Sequence, residues 1–122
     1  MDEGGTAMPE ASVAQWSLVG SLAAGMGHEG GRERGQEAAV VPGAGASLKR
    51  VAVPAGRRAD RHSHPHEQFV LVVSGAGRLE CEAGAVELRP GTVLRFAPGA
   101  WHSAEFTQDT VLVEVNMAQG AD

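Results

Sequence analysis

The chain has 122 residues, 43% apolar and 4% aromatic, with 17 glycines and no tyrosine. That length suits one domain with a single modest core, and the glycines favour tight turns over a helical bundle. A net charge of −5 excludes nucleic acid and an anionic membrane surface as expected partners, and a lone Cys81 excludes an internal disulfide and fits a reducing cytoplasm.

Residues 1–10 are small and acidic and read as a flexible N-terminal tail. Residues 11–44 read as N-terminal strands and a Gly-rich loop, and residues 45–117 as a barrel. The segment Ser12 to Gly20 is too polar for a secretory signal and follows an acidic start, where a signal needs a basic one. It is too rich in Gly and Ser to span a membrane and is predicted as a first strand. Gly25 to Glu37 is irregular, with His28 as a surface residue. Strands are then predicted at Ala38–Val41, Leu48–Val53, Gln68–Ser74, Gly77–Glu82, Val86–Leu88, Thr92–Phe96, Ser103–Phe106 and Thr110–Asn116. Turns such as Pro42-Gly43, Ala83-Gly84, Pro90-Gly91 and Pro98-Gly99 separate them. Many short strands without a helical stripe predict an all-β antiparallel barrel, closed as a jelly roll.

In the run Gln68 to Val73, alternation puts Gln68, Val70 and Val72 on one face and Phe69, Leu71 and Val73 on the other. Apolarity on both faces implies a second cover, and with the N-terminal strand around Trp16 it predicts a homodimer. Cys81 lies mid-strand with no histidine beside it in sequence, so it reads as a small packing residue.

Two stretches carry the chemistry. In the first, Arg61-His62-Ser63-His64-Pro65-His66-Glu67-Gln68, residues His62 and His64 share a face if the strand is extended. Pro65 breaks that parity, so His66 is either solvent-facing or a residue that orients a ligand by hydrogen bonding. In the second, Gly91 to His102, the imidazole of His102 follows the Pro98-Gly99 turn. Three neutral imidazoles and the Gln68 amide oxygen form a donor set for one divalent transition metal: Zn, Fe, Ni, Mn or Cu. Glu67 is the rival fourth ligand, with opposite parity to Gln68.

Gly56, five residues, His62, one residue, His64, three residues, Gln68, six residues and Gly75 resemble the first signature of the cupin superfamily, with Gln68 where that pattern has Glu. Gly91 through Pro98-Gly99 to His102 resembles the second, with Ala97 for its Pro and Phe106 for its terminal Asn. The resemblance covers roughly residues 45 to 116. It implies a double-stranded β-helix whose mouth holds one metal on His62, His64, Gln68 and His102. Small cupins with His-x-His-Pro-x-Glu-Gln stretches, such as uronate-linearising ones, place a Gln in this role.

A neutral shell leaves a divalent ion its full +2 charge, which strengthens binding of a bidentate anionic oxygen ligand and acidifies bound water. The expected function is Lewis-acid chemistry of the isomerase, lyase or hydrolase type on a small anionic oxygenated metabolite. The alternatives are an Fe-dependent dioxygenase of a chelating substrate and a non-catalytic ligand-binding cupin. Glu114, in the apolar strand Thr110 to Asn116, reads either as the catalytic base, by likeness to an acid on the corresponding strand of uronate-linearising cupins, or as a solvated acid on an edge strand. Arg95 is either a clamp for a substrate carboxylate or a surface residue.

Overall fold

The computed structural model describes residues 12–21 and 36–119. Ten strands form there: β1 Ser17–Ser21, β2 Glu37–Val41, β3 Ala46–Val53, β4 Arg58–His62, β5 Gln68–Ser74, β6 Gly77–Cys81, β7 Gly84–Leu88, β8 Val93–Phe96, β9 His102–Phe106 and β10 Thr110–Met117. The expected tail (1–10) and most of the Gly-rich stretch with His28 lie outside the described residues. Among the described residues no helix is long and apolar enough to cross a membrane.

The strands form two antiparallel sheets, one of six in the order β1-β2-β3-β10-β5-β8 and one of four in the order β4-β9-β6-β7. From β3 onward the chain passes repeatedly between the two sheets, the winding of a double-stranded β-helix. Val51, Val53, Val70, Val72, Phe96 and Leu112 from the larger sheet meet Leu79, Leu88 and Phe106 from the smaller one in a single core. Such burial contributes roughly 1.5–3 kcal/mol for each large side chain.

The β5 alternation falls as predicted. Gln68, Val70 and Val72 are buried, whereas Leu71 and Val73 stay 41% and 49% exposed. No second sheet covers that outer face among the described residues. Gly75 joins β5 to β6 with φ at 103°, and a Cβ there would collide with Thr110 and with the carbonyl of Asp109. Thr110 is itself buried, and its hydroxyl donates to the Gln108 carbonyl at 2.8 Å. Only glycine fits that turn.

Three sequence expectations need revision. β4 was not among the predicted strands, because Arg58-Ala59-Asp60-Arg61-His62 has no apolar alternation. Its strand form comes instead from pairing with β9, where Arg58 opposes Glu105. The first strand starts at Ser17 rather than Ser12, leaving residues 12–16 outside any strand. His102 opens β9 rather than preceding it.

Candidate metal centre

β4 ends at His62 and β9 begins at His102, and the two residues are direct cross-strand partners. Their rings lie 4.3 Å apart between centroids. A second link reinforces this register, since the Arg61 guanidinium sits 3.7 Å over the Trp101 ring, a cation–π contact worth about 0.5–1 kcal/mol at an exposed site. His64 comes from the loop after β4, so strand parity does not bring it to His62. Its backbone carbonyl instead accepts a 2.7 Å hydrogen bond from Gly99 N, which pins the turn before His102 against the first histidine stretch. The His64 ring then lies 5.0 Å from that of His62 and 5.7 Å from that of His102.

One ligand atom from each of these three residues lies within 4.8 Å of the others. His62 donates from Nδ1 to the Asp60 carbonyl at 2.7 Å, which leaves Nε2 with its lone pair available. Phe96 stacks on the His102 ring at 4.0 Å and 18°. His102 is buried, and its Nδ1 has no hydrogen-bond partner. Burial, then the neighbouring His62, lowers the His102 pKa to about 4, with the Ala100 backbone acting the other way and His64 adding to the depression. His64 is lowered too, by burial first and then by His62, His66 and Lys49. Both rings are therefore neutral near pH 7, the form that binds a metal. A buried His102 Nδ1 without a hydrogen-bond partner, inside a cluster of three convergent imidazoles, fits a divalent transition metal.

Gln68, at the start of β5, is buried and shares a cavity with the three histidines. Glu67 does not. Its carboxylate takes the Nε–H of Arg95 at 2.6 Å on the exposed side, so the rival ligand and the expected substrate clamp are engaged with each other. His66 is half-buried, 5.2 Å from the His64 ring, and its Nε2 donates to Asn116 Oδ1 at 3.0 Å. It is thus neither a fourth imidazole of the cluster nor fully solvated.

The cavity has a volume of about 90 Å³ and runs from the histidines into the barrel. Val70, Leu79, Leu88, Leu94, Phe96, Phe106 and Leu112 form its apolar wall, and Glu114 is its one carboxylate among the described residues. β10 is a central strand between β3 and β5, so the reading of Glu114 as a solvated acid on an edge strand does not hold. Burial raises the Glu114 pKa, against the opposing effects of Lys49, a hydrogen bond from Asn116, and His62 and His66.

Asn116 is the residue that sequence reasoning missed. It stands opposite Gln68 in the β5–β10 register and accepts from Gln68 Nε2 at 2.8 Å. Its one sequence signal was sharing a face with Leu112 and Glu114 at two-residue spacing. Cys81, the cross-strand partner of His102 in β6, packs against the core and donates to the Gly84 carbonyl at 3.5 Å. A histidine does adjoin it in space, yet it stays outside the ligand cluster.

Residues 49–116 match the cupin domain family, more than half of the chain. The chain belongs to the cupin family. It is 44% identical over 64 residues to an (R)-mandelonitrile lyase from Granulicella tundricola, a match covering 50% of this chain and 47% of the relative. The chain thus spans about half the length of that curated relative. Among solved structures, an RmlC-like cupin from Shewanella frigidimarina superposes with a TM-score of 0.67 at 15% identity, covering 94% of this chain and 96% of the other. KdgF from a Halomonas species superposes at 0.66 with 23% identity, covering 76% and 90%. At these identities the two structures share the barrel with this cupin and carry no argument about its reaction.

Proposed function

We propose that this cupin is a metal-dependent lyase acting on a small hydroxyl-bearing compound with an apolar body, of the α-hydroxynitrile class. The observation that carries it is the cavity itself, in which three convergent imidazoles and one desolvated carboxylate face a hydrocarbon wall. The likeness to a mandelonitrile lyase over the barrel segment supports the choice of reaction class. His62, His64, His102 and Gln68 are the residues to hold one divalent ion. When bound, that ion supplies Lewis-acid polarisation of the substrate oxygen.

Glu114 is the proposed base, and its raised pKa brings it nearer the operating pH. It takes the hydroxyl proton as the bond between carbon and nitrile breaks and the carbonyl forms. Cyanide departs with the bonding pair and recovers the proton from Glu114 as hydrogen cyanide, so atoms and charge balance. Phe96, Phe106 and the leucines seat the organic group and exclude water. Among the described residues no Lys or Arg lines the cavity, and Arg95 is held by Glu67, which favours a neutral substrate over the anionic one expected from sequence.

Two further readings belong to this proposal. Leu71 and Val93 face each other across β5 and β8, with Val93 64% exposed, and a sister subunit is the cover we assign to this patch, making a homodimer. The unpaired Cys81 thiol supports the reducing cytoplasm as location.

The test is metal analysis of the purified protein after exposure to Mn, Fe, Ni and Zn, followed by aldehyde release from mandelonitrile with and without oxygen. Metal-dependent, oxygen-independent release that His102→Ala abolishes is the expected result. Oxygen consumption with Fe(II) would turn the assignment to a dioxygenase. Ligand-induced stabilisation without turnover would turn it to a binding protein.

A further inference from the structure

We infer that Asn116 is a positioning residue that turns the carboxamide oxygen of Gln68 toward the three imidazoles. The inference rests on the metal-site reading above and goes beyond it by explaining how an amide serves where the family pattern has a carboxylate. A carboxylate presents an oxygen whichever way it rotates. An amide does not: one orientation offers an oxygen lone pair, and the flipped one offers an NH₂ with only donors. A Gln ligand therefore needs something that selects its orientation.

Asn116 Oδ1 provides that selection. It accepts from Gln68 Nε2 at 2.8 Å and from His66 Nε2 at 3.0 Å, which occupies both of its lone pairs. A flipped Gln68 would set its own oxygen against Oδ1, two acceptors facing each other in a buried site. With Nε2 committed to Asn116, the carboxamide oxygen is the end turned away from β10. Two donors from different elements, His66 and Gln68, thus converge on the one Asn116 oxygen. The β5–β10 register makes this possible by placing Asn116 directly opposite Gln68 and Glu114 opposite Val70.

The test is equilibrium metal affinity, measured with Zn(II) against a chromophoric chelator, together with the visible spectrum of the Co(II)-loaded protein. Asn116→Leu is expected to weaken affinity by about 10–100-fold, the usual effect of removing a residue that orients a ligand, and to alter the Co(II) spectrum. In a Gln68→Glu background the same substitution is expected to cost no affinity, since both carboxylate atoms are donors. Asn116→Asp, which keeps the acceptor, is expected to hold affinity and serves if the leucine variant does not fold. An equal loss from Asn116→Leu in both backgrounds would overturn the inference in favour of a merely structural role. So would a loss on Asn116→Asp matching that of the leucine variant. If Gln68→Ala weakens binding but Asn116→Leu does not, the positioning role fails while the metal site stands. If Gln68→Ala binds as tightly as the parent, the inference fails while the three-imidazole site stands; if the parent binds no ion, both readings fail together.

Discussion

The paired strands β5 and β10 do two different things along one inner face. At one end Val72 and Leu112 are register partners and lie buried in the hydrocarbon core. At the other, Gln68 and Asn116 are partners, with Glu114 opposite Val70 between the two ends. Backbone pairing continues along both ends, and only the side chains differ. The dry end gains free energy from every methylene it hides. The polar end buries donors and acceptors that must be satisfied, so each of its residues is answerable to another. Stability is therefore concentrated at one end and, on the proposed function, chemistry at the other, and substitutions should separate them.

The sharpest separation is expected from His102→Ala, which should abolish stoichiometric metal binding and turnover while the barrel still folds, since the imidazole removed has an unpartnered buried nitrogen. Metal content and circular dichroism of the same sample check both halves. Loss of the fold would show that the metal end also carries the architecture. Glu114→Gln is expected next, lowering turnover by about 10²–10⁴-fold. The amide removes a desolvated charge, so the melting temperature should rise. A variant with full turnover would remove Glu114 from the chemistry.

The dry end should behave in the opposite way. Leu112→Ala is expected to destabilise by about 2–5 kcal/mol, read by denaturant melts, with metal affinity of the folded fraction unchanged. A comparable loss in affinity would mean that the two ends are mechanically coupled.

Acid should act on the polar end first. His102 is depressed to about 4 from an ordinary 6.5, so the unfolded chain binds a proton that the folded, metal-free protein refuses between those values. Stability supplied by the neutral ring is therefore complete above pH 6.5 and is lost as pH falls toward about 4. Glu114, being raised, acts in the opposite sense, since the folded state holds its proton longer than the unfolded chain does. Melting curves across this range in a Glu114→Gln background isolate the histidine effect, and a flat profile there would contradict it. The mildest change is expected on the outer face. Val93→Glu should alter monomer stability by no more than about 0.5 kcal/mol and shift sedimentation from dimer to monomer. A monomeric parent would remove the dimer from the proposal.

Much of this was legible in the residues. Alternation in Gln68 to Val73 correctly sorted the two faces of β5, because side chains on a strand repeat every two residues. The spacing of His62, His64 and His102 marked a cluster that the fold does assemble. β4 was not legible, because its charged residues carry no alternation and become a strand only when β9 pairs with them. The Glu67–Arg95 pair was not legible either, because the partners lie 28 residues apart and meet through the β5–β8 register.

Local rules thus determined which residues alternate, where glycine must turn the chain, and that three imidazoles stood ready for one ion. Tertiary structure alone decided that β10 runs through the middle of its sheet, that Glu114 is desolvated, and that Asn116 faces Gln68. The physical reason is that register between distant strands is set by the packing of the whole inner face at once, a many-body outcome that no single segment encodes.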